Sequence, residues 1–366
     1  MSYYIEKLDD FLRRKEHIVC YGAGGYGKEI LAHLLSRNKC PEMFVVSSED
    51  HPKSLLDIPI VCIKDIMDKK KYSWIISMNK INSAEVIKVL DECGINEYFD
   101  CSESLIDEIR SSVLARNSIT KNMGRGKKRC FILATGTSIL KQNLKLLKEE
   151  DVISCSYTGL LSDYSNIAPE FYVTPSVFSD GLDTEYAEQA LRLRDEIVVS
   201  QYVFLDYADR LLVEKYNLFK GKEVFYVLQN LQPLDSRFDL TDSTFIIYTA
   251  SIMCLKIAMY MGYKEIYLLG VDHSECSGIR SYKHSYDEEK IRKMGYNHLY
   301  ELFVKTNSTW IETVPNRVLY KLYADMFMQY HMIAEKATEL GIQVYNLSPE
   351  SGLDEFPKIS YKDIFT

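Results

Sequence analysis

Ile18-Val19-Cys20-Tyr21-Gly22-Ala23-Gly24-Gly25-Tyr26-Gly27 runs into the helix-like stretch Lys28–Ser36. A short apolar run, a glycine turn and a helix in that order are what a phosphate-binding βαβ unit requires, because glycines let backbone N–H groups approach a pyrophosphate at a helix start. Gly22, Gly24 and Gly27 satisfy G-x-G-x-x-G, with Gly25 beside them. The pattern alone is weak; its confirming acidic residue should close the second strand and bind a ribose hydroxyl. Here that strand ends in Val46-Ser47-Ser48, with Glu49 one step late. The first domain therefore argues against NAD(P), leaving another nucleotide, or a turn kept only for packing, as its readings.

Outward from this turn, the apolar runs Met43–Val46, Ile58–Ile63 and Trp74–Ser77 alternate with helical stretches such as Ser83–Cys93, so a parallel sheet is expected, ending near Asp100. The next stretch is polar and helical and closes in Asn122-Met123-Gly124-Arg125-Gly126-Lys127-Lys128-Arg129, which reads as an exposed connection. A second α/β pattern then begins. Cys130–Ala134 leads into Thr135-Gly136-Thr137-Ser138 and a helix carrying Ile139, Leu140, Leu144 and Leu147. Strand-like runs recur at Val152–Cys155, Phe171–Val173, Glu196–Val203, Val224–Leu228 and Ile266–Val271, with helices at Thr249–Met261 and Val318–Leu340 and a last strand at Gln343–Asn346. The expected fold is α/β, with two Rossmann-like parallel-sheet domains: residues 1–105, a connection over 106–128, and 129–366.

Composition bounds the function. The 366 residues suit two domains, and 46% hydrophobic with 26% charged residues is the mix of a folded globular chain. A net charge of -8 without long like-charge blocks argues against nucleic acid. The start, residues 1–17, lacks the basic flank and apolar run of a signal peptide, and no stretch approaches a membrane span, so the chain is expected in the cytoplasm, with peripheral association at the inner membrane face left open. Nine scattered cysteines without a C-x-x-C pair argue against a disulfide framework and a structural zinc site.

The second turn differs from the first in having one glycine and three hydroxyls. Thr135, Thr137 and Ser138 with a helix N-terminus can hold a phosphate or ribose, and the absence of a following lysine argues against the P-loop manner of ATP use. Its bland reading is an N-capped helix. Ligands of open parallel sheets bind beyond the carboxyl ends of the strands, so Thr135–Ser138, Ser154–Thr158 and Asp272–Glu275 should converge.

Ala134-Thr135-Gly136-Thr137-Ser138-Ile139, Thr249-Ala250-Ser251 and Gly262-Tyr263-Lys264-Glu265-Ile266-Tyr267-Leu268-Leu269-Gly270-Val271-Asp272 together resemble the bacterial sialyltransferases of glycosyltransferase family 42 and related surface-polysaccharide and flagellin-glycosylation proteins. The similarity covers about residues 128–358. It implies a CMP-sugar donor, no obligatory metal or other cofactor, and inversion with a histidine as general base. By family position the donor would lie against Thr135, Gly136, Thr137, Ser138, Ser156, Thr249, Ala250 and Ser251, with Pro175-Ser176 matching a strand-end Pro-Ser. Thr135 and Thr137 replace an asparagine and a proline of the family, and Ser156 another asparagine. The two tyrosines that hold the leaving phosphate in the family are offset here: Ser274 stands at the first place, with Tyr282 and Tyr286 several residues away. Val271-Asp272-His273 and Asn297-His298-Leu299 echo further motifs of related proteins, and the N-terminal domain resembles small Rossmann-like modules fused to carbohydrate-modifying enzymes.

A sugar hydroxyl is a poor nucleophile until its proton is taken, and histidine is suited to take it. His298 is the expected general base, with His284 as its alternative, His273 as a donor contact and lesser candidate base, and Asp272 as a residue that holds the base's tautomer, binds acceptor or, with His273 and His284, coordinates a metal, though no spacing demands one. His331, within a helix, reads as structural. The leading function is transfer of a nonulosonate such as sialic acid from a CMP-sugar to a capsule, lipooligosaccharide or flagellin acceptor. Its rivals are a pterin-type diphosphokinase using ATP and Mg²⁺ and a non-catalytic nucleotide-sensing protein of a polysaccharide locus. Oligomeric state is not readable.

Overall fold

The computed structural model describes residues 3–127, 129–176, 184–230, 238–273, 283–303 and 313–365. Two compact units divide the chain, Met1–Ala115 with Arg210–Asn217 and Arg116–Asp209 with Leu218–Thr366. Each is an α/β unit on a mainly parallel sheet.

In the first unit the strands are β1 Ile18–Tyr21, β2 Met43–Val46, β3 Ser54–Leu55, β4 Ile58–Cys62, β5 Ser73–Ile76 and β6 Tyr98–Asp100, in the order β3-β4-β2-β1-β5-β6. Only the short β3–β4 pair is antiparallel. The chain starts at β1 in the middle, fills one side, then crosses to β5, so the strand order reverses between β1 and β5. Alternation sorts β1 between two cores: Ile18 and Cys20 face the helices Tyr3–Arg14 and Gly25–Ser36, while Val19 and Tyr21 pack with Trp74, Val86 and Leu90. The helix Glu103–Ala115, part of which was expected in the connection, belongs to this unit, as does Arg210–Tyr216, which packs on Gly25–Ser36. Arg110 and Leu211 anchor them, the first through Nε to Glu29 Oε1 at 2.9 Å, the second in the apolar core.

The second unit has β7 Arg129–Leu133, β8 Asp151–Cys155, β9 Phe171–Thr174, β10 Tyr202–Asp206, β11 Glu223–Val227, a small ladder of β12 Gln229–Asn230 and β13 Thr244–Phe245, then β14 Glu265–Leu269 and β15 Gln343–Asn346. The main sheet runs β11-β10-β9-β8-β7-β14-β15, parallel throughout. Its order reverses between β7 and β14. Cys130 and Ile132 face a core built with the helices Ala250–Tyr260 and Asn316–Glu339; Phe131 and Leu133 face the opposite core. Ala250–Tyr260 is buried all round from Ser251 to Tyr260, and its one charge, Lys256, lies over the rings of Phe238 and Phe245.

Two expected elements are corrected. No α-helix follows Ser138: the segment makes two 3₁₀ turns, Thr137–Lys141 and Leu144–Leu147, because Leu140, needed for a helical stripe, points outward at 65% exposure and Gln142 is extended. Of the run Glu196–Val203 only the last two residues are strand. Ala187, Ala190, Leu191 and Arg194 carry the helix Thr184–Ile197 through its first residues, Ser200 turns the chain by donating to Pro169 O at 2.7 Å, and pairing begins only at Tyr202. Among the described residues no helix is long and apolar enough to cross a membrane, and no cluster of three or more His, Cys, Asp or Glu could hold a metal ion.

Candidate active site

Strand pairing between β7 and β14 continues into the turns that follow. Ala134 N donates to Leu269 O at 2.8 Å and Gly136 N to Gly270 O at 2.9 Å. A Cβ at Gly136 would overlap the Gly270 carbonyl and the Asp272 carboxylate, so this glycine is demanded by the chain's own close approach. Asp272 then receives Ser138 twice, from N at 2.9 Å and from Oγ at 2.5 Å, while Ser138 Oγ and Ser348 Oγ stand 2.7 Å apart. The carboxylate is thus a brace across the switch point. With the Ser138 amide taken and only a five-residue 3₁₀ turn behind it, the α-helix N-terminus expected here for phosphate binding is not present. What the turn offers a ligand is hydroxyls: Thr135, half-buried, and Thr137, exposed.

Thr249 caps the next helix by accepting from Ile252 N at 3.3 Å, and Ala250 is the first helical residue. Behind them stands Tyr330, which the sequence reading missed because it lies in an apolar stripe with Met326, Ile333 and Ala337. Its hydroxyl is 2.6 Å from Ser251 Oγ, 3.2 Å from Thr249 Oγ1 and 2.9 Å from His273 Nε2. Burial pushes this phenol far above its ordinary value, so it remains a neutral hydroxyl. His273 holds a left-handed backbone, φ 44°, an uncommon conformation for a non-glycine residue, here in the turn beyond β14.

Ser285 N donates to Thr135 O at 2.9 Å and so brings the segment 283–286 to the β7 turn. His284 lies there with its side chain 7% exposed, its Nδ1 2.8 Å from Glu288 Oε1, and its ring stacked on Tyr286 and Phe303 at centroid distances of 4.8 and 5.6 Å. It lines a cavity of about 340 Å³ with Lys283, Tyr286 and Glu288. Tyr286 and Asp287 also border a second cavity of about 390 Å³, walled by Ile139, Leu144, Leu161 and Ser285. Glu288 was missed, though its spacing of four from His284 was a readable signal.

The remaining expected residues are dispersed along the sheet edge. Ser156 follows β8 with φ 53°, and its carbonyl accepts from Tyr172 OH at 2.5 Å. Pro175 O accepts from Arg194 Nη1 at 3.4 Å, and Ser176 Oγ donates to Asp209 Oδ1 at 2.8 Å. Half-buried His298 sits on the helical turn 297–303, where Leu299 N donates to Gln189 Oε1 at 2.9 Å and Tyr300 OH donates to Glu289. His331 is exposed and paired with Glu355 at 3.1 Å. Tyr282 and Ser274 lie outside the described residues.

In the first unit a Cβ at Gly22, φ 114°, would stand 2.7 Å from Ser77 O, and one at Gly27 would overlap the Gly22 carbonyl. Gly24 and Gly25 face open space. At the end of β2, Ser47 Oγ meets Tyr21 OH at 3.0 Å, and Glu49 pairs with Lys64 in solvent at 2.9 Å.

No protein-family model matches the chain, and no curated protein does. Among solved structures it is similar to the sialyltransferase CstII from Campylobacter jejuni in complex with a substrate analogue, cytidine-5'-monophosphate, at 15% identity over 64% of this chain and 85% of that one, with a TM-score of 0.35. A single-substitution variant of the same sialyltransferase with CMP gives 17% identity over 64% and 86% of the two chains and a TM-score of 0.38. At these scores the functional reading rests on the residues themselves.

Proposed function

We propose that the second unit is a glycosyltransferase moving a sugar, a nonulosonate such as sialic acid, from a CMP-linked donor to a bacterial surface glycan, with inversion. The observation that carries this reading is the His284–Glu288 pair, a buried imidazole on a half-buried carboxylate, which lines a cavity in the segment that Ser285 N ties to the carbonyl of Thr135 at the reversal of the sheet. With Nδ1–H donated to Glu288, the tautomer is fixed and Nε2 is the basic nitrogen. As the acceptor oxygen bonds to the anomeric carbon, its proton passes to Nε2; the bond from that carbon to the phosphate oxygen breaks, and CMP departs with the electron pair. In this proposal His284 takes the base's role in place of His298, Asp272 braces the site, and Thr135, Thr137 and the Thr249–Ser251 corner meet the nucleotide. The resemblance in sequence at Thr249–Asp272 supports the choice of cytidine.

A calorimetric melt of the full chain with CMP, ATP plus Mg²⁺, and NADH tests it. A ligand at 100 times its Kd adds about 2.7 kcal/mol to the native state. CMP should raise the second unit's transition; stabilisation by ATP plus Mg²⁺ alone would replace glycosyl transfer with diphosphoryl transfer.

A further inference from the structure

On the helix Thr184–Ile197 the buried residues Ala187, Ala190, Leu191 and Arg194 follow the i, i+3, i+4, i+7 spacing of one inward stripe. An arginine closing an apolar stripe is out of place, and Arg194 is only 4% exposed. Its guanidinium lies over the Tyr157 ring, 5.1 Å from the centroid, and Nη1 reaches Pro175 O. Nε is buried without a hydrogen-bond partner. The Nε–Nη2 edge, the side of a guanidinium that grips a carboxylate with two parallel bonds, is therefore unused by the described residues.

Other buried polar atoms gather at the same place. The Tyr157 hydroxyl and the neighbouring Thr158 Oγ1 also lack partners. Burial raises the Tyr157 phenol and the guanidinium opposes this, yet the two do not meet hydrogen-bond geometry. Asp209, held by Ser176, is close enough to act on the arginine electrostatically. A buried guanidinium whose donors lack partners is costly to the fold, and a ligand that occupies them would offset that cost. The position suits one. Tyr157 follows β8 and Pro175 follows β9, the two strands next to β7, so at about 4.8 Å per strand the cluster stands roughly 5–10 Å along the ligand-binding edge from the Thr135 turn.

We propose that Arg194 is the specificity-determining residue of the site and binds the carboxylate of an acidic sugar side-on through Nε and Nη2, with the Tyr157 and Thr158 hydroxyls donating from the flank. This rests on the glycosyltransferase reading and adds to it the feature of the sugar that is recognised.

The test is titration of the full chain and of its R194K and R194Q variants with CMP-N-acetylneuraminate, CMP, free N-acetylneuraminate and inorganic phosphate, with melts to establish folding. R194K keeps a charge beside Asp209 but not the planar fork, so it remains falsifying if R194Q does not fold. The wild type should bind CMP-N-acetylneuraminate about tenfold or more tighter than CMP, and R194K should abolish the preference while leaving CMP affinity unchanged. A preference kept in folded R194K, or absent from the wild type, overturns the proposal, as does Arg194-dependent binding of phosphate in place of free N-acetylneuraminate. If CMP does not bind but free N-acetylneuraminate binds in an Arg194-dependent manner, the carboxylate site stands and the nucleotide reading falls; if neither binds, both fall.

Discussion

The two units each place a turn where strand order reverses, after β1 in the first and after β7 in the second, but they furnish it differently. After β1 the glycine run opens straight into the 12-residue helix Gly25–Ser36, and the Ser77 hydroxyl beside it donates to the carbonyls of Tyr21 and Gly22 at 3.1 and 2.8 Å. After β7 the helix is replaced by a 3₁₀ turn, and groups from distant segments converge: the side chains of Asp272 and Ser348, the backbone N–H of Ser285, and the Thr249–Ser251–Tyr330–His273 network. Topology therefore locates a crevice in both units, while the neighbouring strand ends decide whether it holds chemistry.

The largest effect that can break this contrast lies at the second turn. His284→Ala should lower turnover about 10²–10⁴-fold with CMP affinity nearly intact, and Glu288→Gln should cost less because it loosens only the tautomer. His298→Ala should keep most of the activity. If His298→Ala removes turnover and His284→Ala does not, the base lies on the 297–303 turn and the cavity lined by His284 is not where the proton moves.

Next comes the frame of that turn. Gly136→Ala should destabilise the second unit by about 3 kcal/mol or more in a urea melt, since its Cβ would meet backbone at Gly270 as well as the Asp272 carboxylate. A variant at this glycine therefore reports on folding before it reports on nucleotide binding. A melt unchanged from wild type would mean that the two strand-end turns are less tightly apposed than their hydrogen bonds require.

The first unit should respond instead to pH. His33 is 3% exposed, and burial, followed by Arg37 and Arg210, holds its imidazole down at about 4, against 6.5 for an ordinary histidine. Between those values the unfolded chain binds a proton that the native unit does not. The contribution is thus complete above pH 6.5 and is lost as pH falls toward 4, by up to about 3 kcal/mol. Denaturation midpoints across this range should show the decline in the first unit's transition, and His33→Gln should flatten it relative to wild type. Equal slopes in the two proteins would assign the acid sensitivity to other groups.

Much of the fold was legible because buried parallel strands read as short apolar runs between turns: Met43–Val46 and Gln343–Asn346 pair over the expected residues. Legibility failed where two periodicities competed. Val198 and Val199 look like strand, but the stripe ending at Arg194 extends the preceding helix, and Ile139, Leu144 and Leu147 look helical although Leu140 faces solvent. For the site, the sequence named the strand-end residues yet not their partners, because Tyr330 and Ser348 arrive from segments whose proximity only the packing sets; Glu288, four residues from His284, was within reach of the sequence. Arg194 was visible in principle, as a charge on an apolar stripe.

The smallest effect is the sharpest probe of the first turn. Gly25 occupies the first position of its helix, and nothing lies within 4 Å of where a Cβ would stand. Alanine there reduces the freedom of the unfolded chain without a clash, so Gly25→Ala should raise stability by a few tenths of a kcal/mol, at most about 1. Gly22→Ala should do the reverse, since φ 114° and the carbonyl of Ser77 at 2.7 Å leave no room for a side chain. Glycines 22 and 27 are thus explained by packing, while 24 and 25 are not, and the open side is where a dinucleotide would have to approach. With Ser47 at the end of β2 in place of an acidic residue, NADH should bind weakly or not at all, and Gly25→Ala should change stability alone. Micromolar NADH binding in the wild type that disappears in Gly25→Ala would show the first crevice to be a working site, and would end the contrast between the two turns.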